Sequence, residues 1–296
     1  MVAELHHPGH HHPVRHHVVE IDGLEVFYRE AGPQDAPVLL LLHGYPTSSH
    51  MFRHLIPALA DRYRVIAPDH IGFGLSAAPP ADEFDYSFEA LSRITAAFLR
   101  RVGVTRCTVY VQDYGAPIAW RLALADPALI EGVISQNGNA YEEGFVPQFW
   151  DPIWAFGADP SPINELALRP ALGRDAIRWQ YLHGVPDPSL IAPDAWEHDI
   201  ALMARSGVDR AQLALFADYP SNRNLYPRVQ EWIRSSGVPV LAVWGKNDEI
   251  FGPDGATAFR RDAPDARIEL LDGGHFLLES HLDAVVRIIR DWRADF

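Results

Sequence analysis

A chain of 296 residues, 48% hydrophobic and 22% charged, carries enough apolar mass for one large soluble α/β domain with an inserted subdomain. Its formal net charge of -14 argues against nucleic acid or an anionic membrane surface as a partner, and favours a small neutral substrate over a polyanion. The single cysteine, Cys107, excludes a disulfide framework, and no apolar run approaches the ~20 residues of a membrane span, so the expectation is a cytoplasmic protein without a signal segment.

The first seventeen residues hold seven of the fifteen histidines, interleaved with proline and glycine, and residues 1–15 read as a disordered His-rich tail rather than a metal site of fixed geometry. Residues 17–21 and 24–30 read as strands joined at Asp22-Gly23, a hairpin signal. The continuous apolar run 38–42 suits a strand buried on both faces, and it leads into His43-Gly44-Tyr45-Pro46. Ser48 or Ser49 can then cap a helix through Met51, Leu55, Ile56 and Leu59. A strand at 64–67, the glycine-rich stretch P-D-H-I-G-F-G-L-S, and a helix at 88–101 follow.

Residues 107–112 form a buried strand by composition, and Gly115 opens a stretch with helical apolar spacing, so Asp113 falls on a tight strand-to-helix turn. Such a turn holds one side chain above the sheet edge, with the following N–H groups and the helix N-terminus facing the same space. A carboxylate there is ionised at neutral pH and can attack an sp3 carbon without a base; the competing reading is a helix N-cap. After a further strand at 129–136 the character changes. Residues 138–237 are rich in proline and tryptophan (Trp150, Trp154, Trp179, Trp196) and helical without intervening buried strands, which reads as a cap over an apolar pocket or as aromatics forming the cap's own core. The core, 16–137, resumes at 238–296 with strands at 239–244 and 266–271 and a helix at 277–289. The alternation predicts a doubly wound, mostly parallel sheet with a helical cap inserted before the last two core strands.

Two further residues complete the constellation. Asp248, in W-G-K-N-D, follows one of these late strands, with Glu249 beside it as a competitor, and His275, in D-G-G-H, follows the other. The carboxyl ends of parallel strands share one edge, so Asp113, Asp248 and His275 should converge. Nucleophile, acid, histidine is the chain order of α/β-hydrolases.

With these motifs (H-G-Y-P at 43–46, G-F-G-L-S at 72–76, V-Q-D-Y-G-A at 111–116, W-G-K-N-D at 244–248, G-G-H-F at 273–276) the chain resembles the α/β-hydrolase superfamily, in its branch of epoxide hydrolases and haloalkane dehalogenases with an aspartate nucleophile. The resemblance implies a covalent alkyl ester on Asp113, hydrolysed by water that His275 deprotonates while Asp248 orients the imidazole. It further implies an oxyanion hole from the N–H groups of Tyr45 and Tyr114 and no metal or organic cofactor. Some dehalogenases carry the acid after the strand preceding the cap; that position here offers Gln136 and Asn137, which leaves Asp248. The partners implied are a small-molecule substrate and water, with a homo-oligomer left open.

Tyr114 stands where dehalogenases have a tryptophan, and Tyr45 where epoxide hydrolases often have an aromatic residue. The arginine that follows the nucleophile in fluoroacetate dehalogenases is missing. These departures leave the substrate open and count against a carboxylate-bearing one; the tyrosines of the cap favour an epoxide over a halide, with a haloalkane dehalogenase as the alternative and a non-catalytic ligand-binding homologue as a third reading. An epoxide's alkoxide needs a proton donor, for which Tyr181 and Tyr219 are the candidates, with Tyr141 and Tyr226 behind them. Halide release would call on the indoles of Trp150, Trp154 or Trp179.

Overall fold

The computed structural model describes residues 12–293, so most of the His-rich tail lies outside the described residues. Strand β1 (Arg15–Ile21) turns through Asp22 and Gly23, both at positive φ, into β2 (Leu24–Ala31), its antiparallel partner. Then come β3 (Val38–Leu42), a 3-10 turn (Ser49–Phe52), helix α1 (Leu55–Leu59), β4 (Arg64–Pro68), α2 (Phe88–Arg101), β5 (Cys107–Gln112), α3 (Gly115–Ala125) and β6 (Ile130–Gln136). Six helices follow: α4 (Pro147–Ala158), α5 (Pro162–Leu168), α6 (Arg174–Leu182), α7 (Pro193–Met203), α8 (Val208–Asp218) and α9 (Pro220–Ser236). Four of them begin on proline, whose missing N–H costs nothing in a first helical turn, which accounts for the proline density of this region. The chain closes with β7 (Val240–Gly245), α10 (Pro253–Ala258), β8 (Arg267–Leu271) and α11 (Leu277–Arg293).

Among the described residues one sheet of eight strands results, in the order β1-β2-β4-β3-β5-β6-β7-β8; β2 is antiparallel to both its neighbours and every other pairing after it is parallel. The chain leaves β3 for β4 on one side and returns to β5 on the other, so the strand order reverses between β3 and β5. Alternate side chains of the buried strands feed two cores. Leu40, Leu42, Val109, Val111 and Trp244 pack with Phe88, Leu91 and Ile118, whereas Leu39, Leu41, Tyr110 and Val243 pack with Leu55, Ile56, Val285 and Ile289. Leu41 is fully buried, and cutting such a side chain to alanine typically costs about 2–5 kcal/mol.

The single helix expected across residues 51–59 is divided into a 3-10 turn and α1. Pro57 has no N–H to donate to the preceding turn, so the helix restarts just before it. Ser48 caps the 3-10 turn, its hydroxyl accepting from the His50 N–H at 3.2 Å. Among the described residues no helix is long and apolar enough to cross a membrane.

Candidate active site

Leu42 pairs with Val111, so the loops leaving β3 and β5 run side by side where the strand order reverses, the place at which open α/β sheets hold ligands. Asp113 occupies that point with φ +50, a left-handed backbone that costs of order 1–3 kcal/mol outside glycine and persists only when its surroundings impose it. They do so here at close range. A Cβ on Gly115 would stand 2.1 Å from the Leu42 carbonyl oxygen, and one on Gly44 2.2 Å from Oδ1 of Asp113, so two glycines let both loops approach the carboxylate. The Tyr45 N–H donates to Asp113 Oδ1 at 2.7 Å. Burial raises the Asp113 carboxyl to about 6, against the opposing pull of His275 and of the Tyr45 and Tyr114 backbone N–H groups.

His275 Nδ1 lies 2.8 Å from Oδ2 of Asp248. Asp248 Oδ1 accepts the Ile250 N–H at 2.7 Å, while Oδ2 also accepts from the side-chain amide of Asn137 at 2.8 Å. Both members of the pair are nearly inaccessible. Burial works against charge on His275, but the charge and hydrogen bond of Asp248, with the charge of Asp113, outweigh it and raise the imidazole above its usual value. Glu249 instead pairs with His183 at 3.1 Å on the exposed side, so the imidazole's carboxylate is Asp248. The other ring nitrogen, Nε2, is 2.7 Å from Nε2 of Gln112, and the Gln136 amide donates to the His275 carbonyl at 2.9 Å.

Asn137 was legible from sequence only as an absent acid. It sits at φ +47, takes the Gly245 N–H on its Oδ1 at 2.9 Å, and so ties the end of β6 to the end of β7 while its amide holds Asp248. A polar pair, Gln136-Asn137, ending an apolar strand was the available signal.

The two tyrosines proposed as proton donors part company. Tyr219 joins an aromatic group with Tyr114 (centroids 5.8 Å apart), Trp150 (4.3 Å) and Phe88 (5.4 Å), and the Asp113 charge adds to burial and to Tyr226 in holding its phenol well above the usual range. Tyr181 lies in the other core, stacked on Phe276 at 3.8 Å, and its hydroxyl donates to buried Asp199. That hydroxyl is committed elsewhere, which corrects its place among the candidate donors. Tyr226 stacks on Phe145, and Tyr141 packs on Phe259 under the Arg261 guanidinium. The indole of Trp150 donates to the Ile250 carbonyl at 2.8 Å and is likewise occupied; Trp154 lies under the Arg223 guanidinium at 4.5 Å, and Trp179 stacks on His183. A surface cavity of about 530 Å³ is lined by Val146, Gln148, Phe149, Trp179 and Glu249; Trp179 and Glu249 also border a cleft against Asp248 and His275 that is too narrow for a water molecule.

The family model described as alpha/beta hydrolase fold matches residues 37–282. The chain is 43% identical over 271 residues to an uncharacterised hydrolase of Saccharomyces cerevisiae, covering 90% of this chain and 93% of that one. It is 28% identical over 298 residues to a haloalkane dehalogenase of Bradyrhizobium diazoefficiens, covering 92% of each. Among solved structures, an epoxide hydrolase, CorEH, superposes with a TM-score of 0.77 at 21% identity, over 96% of this chain and 99% of that one; likeness at this level speaks for the fold alone.

Proposed function

Because the chain belongs to the α/β-hydrolase fold family, we propose that it is an epoxide hydrolase for small apolar epoxides, working through a covalent ester on Asp113. The observation that carries the reading is the buried Asp113 carboxylate on its strained turn, held by the Tyr45 N–H and within the field of the His275–Asp248 pair. Asp113 attacks an epoxide carbon, the C–O bond opens, and the alkoxide takes the Tyr219 proton. His275 Nε2 then removes a proton from water as its oxygen attacks the ester carbonyl. The Tyr45 and Tyr114 N–H groups face the oxyanion; one such donor is typically worth ~10²–10³ in rate. Collapse expels the diol oxygen, which takes the proton back from His275, and the regenerated Asp113 carboxyl returns its proton to the Tyr219 phenolate.

The epoxide reading rests on the contrast between Tyr219, whose phenol lies in the field of Asp113, and Trp150, whose indole N–H is spent on a backbone carbonyl. The dehalogenase reading keeps the support of the Bradyrhizobium relative. One assay separates them: diol from an aryl epoxide beside bromide from a bromoalkane, run in heavy-oxygen water. Over one turnover the diol should carry its new oxygen from Asp113, and over many turnovers label should enter that carboxylate. Bromide release without epoxide turnover would replace the epoxide reading, and turnover without label in Asp113 would remove the covalent ester.

A further inference from the structure

Both ring nitrogens of His275 are occupied, one by Asp248 and the other by Gln112, the last residue of β5 and fully buried. Since Nδ1 faces a carboxylate, which can only accept, Nδ1 carries the proton of the neutral ring and Nε2 is left as a lone pair. Only the N–H side of the Gln112 amide can face that lone pair, which agrees with Nε2 of Gln112 lying 2.7 Å from it. The amide oxygen, Oε1, is then a buried acceptor without a hydrogen-bond partner among the described residues. Such an orphan costs about 1–3 kcal/mol, a cost the fold carries at the one nitrogen the hydrolytic step needs.

We propose that Gln112 is a positioning residue for the second half of the reaction: its amide holds neutral His275 at rest, turns off Nε2 to free the lone pair for water, and presents Oε1 to the Nε2–H once the imidazole has taken the proton. The inference rests on the covalent-ester reading above. Proton bookkeeping is unchanged, because Gln112 neither gives nor takes a proton; it exchanges a donated hydrogen bond for an accepted one as the ring changes charge. An amide can do this where a hydrocarbon or a carboxylate cannot. The other charged groups around the ring are Asp248 and Asp113, and at the cleft Glu249 with its partner His183.

The test is rapid-quench kinetics and intact-mass analysis with an aryl epoxide, using wild type, Gln112→Leu and Gln112→Glu. The leucine variant should alkylate Asp113 within about twofold of the wild-type rate but hydrolyse the ester ~10–100-fold more slowly, the scale known for losing the partner that orients a metal-ligating histidine. Adduct should therefore accumulate. The glutamate variant, an anionic acceptor that holds the imidazolium proton, should move the acid limb of ester hydrolysis at least one pH unit upward. The proposal is overturned by wild-type hydrolysis in the leucine variant, by equal slowing of both half-reactions, or by an unmoved limb in the glutamate variant, which also carries the test alone if the leucine variant does not fold. Absence of adduct in every variant, His275→Gln included, would instead remove the covalent-ester reading itself.

Discussion

Oδ2 of Asp248 receives two hydrogen bonds of equal length, 2.8 Å from His275 Nδ1 and 2.8 Å from the side-chain amide of Asn137. The carboxylate is thereby fixed from the β6 side as well as from its own turn, and the imidazole plane with it. Asn137→Ala should slow ester hydrolysis ~10–100-fold while sparing alkylation, since Asp113 needs no base. Single-turnover kinetics would show it; unchanged hydrolysis would mean that the Asp248 turn suffices by itself.

His275→Gln should convert the protein into a trap. Alkylation should proceed and hydrolysis stop, and the mass of the protein should rise by that of one epoxide molecule. A variant that turns over normally would show that another group takes the proton from water.

The two tyrosines should respond differently. Tyr219→Phe should lower diol formation ~10²–10⁴-fold, the usual worth of a positioned general acid, with little change in melting temperature. Tyr181→Phe should leave the chemistry near wild type but destabilise the fold by about 1–3 kcal/mol, because buried Asp199 loses its phenol donor. Matched loss of activity in both variants would return Tyr181 to the site.

The two half-reactions should have different acid limbs. Alkylation requires ionised Asp113 and should be lost as pH falls through about 6. Ester hydrolysis requires neutral His275, whose raised value depends in part on the charge of Asp113. The ester abolishes that charge, so His275 should lose its proton at lower pH in the intermediate than in the free protein. Titration of His275 by NMR before and after trapping with an epoxide would check the direction.

Asp199 makes stability pH-dependent. Burial lifts its carboxyl to about 8, with Tyr181 and Thr47 hydrogen bonds opposing, against an ordinary value of 3.8. The folded state thus holds the proton more tightly, and the cost of Asp199 should be absent below about 4, grow as pH rises to about 8, and be complete above it. Asp199→Asn should flatten the fall in melting temperature between pH 5 and 9; an unaltered slope would place the dependence elsewhere.

The parallel strands were legible because their β-branched and leucine-rich runs are short and bounded by turn residues, and a residue at such a strand end has its position set by the sheet. That is why the sites of Asp113, Asp248 and His275 could be located from spacing. Tyr181 could not, since its direction depends on how α6 packs on α7 and Phe276, and an amphipathic pattern gives a helix a buried face without naming what lies against it. Gln112 was visible only as the end of a strand. Its role depends on which imidazole nitrogen faces it, a relation between residues 163 positions apart.

Tyr45 joins two parts of the molecule: its N–H holds Asp113, and its hydroxyl donates to the Ala171 carbonyl at 2.9 Å, in the helical segment between β6 and β7. For protein engineering this makes the segment between β6 and β7 and the Asp113 turn a matched set. A chimaera that grafts a foreign segment between β6 and β7 keeps the registration of the Tyr45 loop only if the graft presents a carbonyl where Ala171 stands, so that exchange and residue 45 should be varied together.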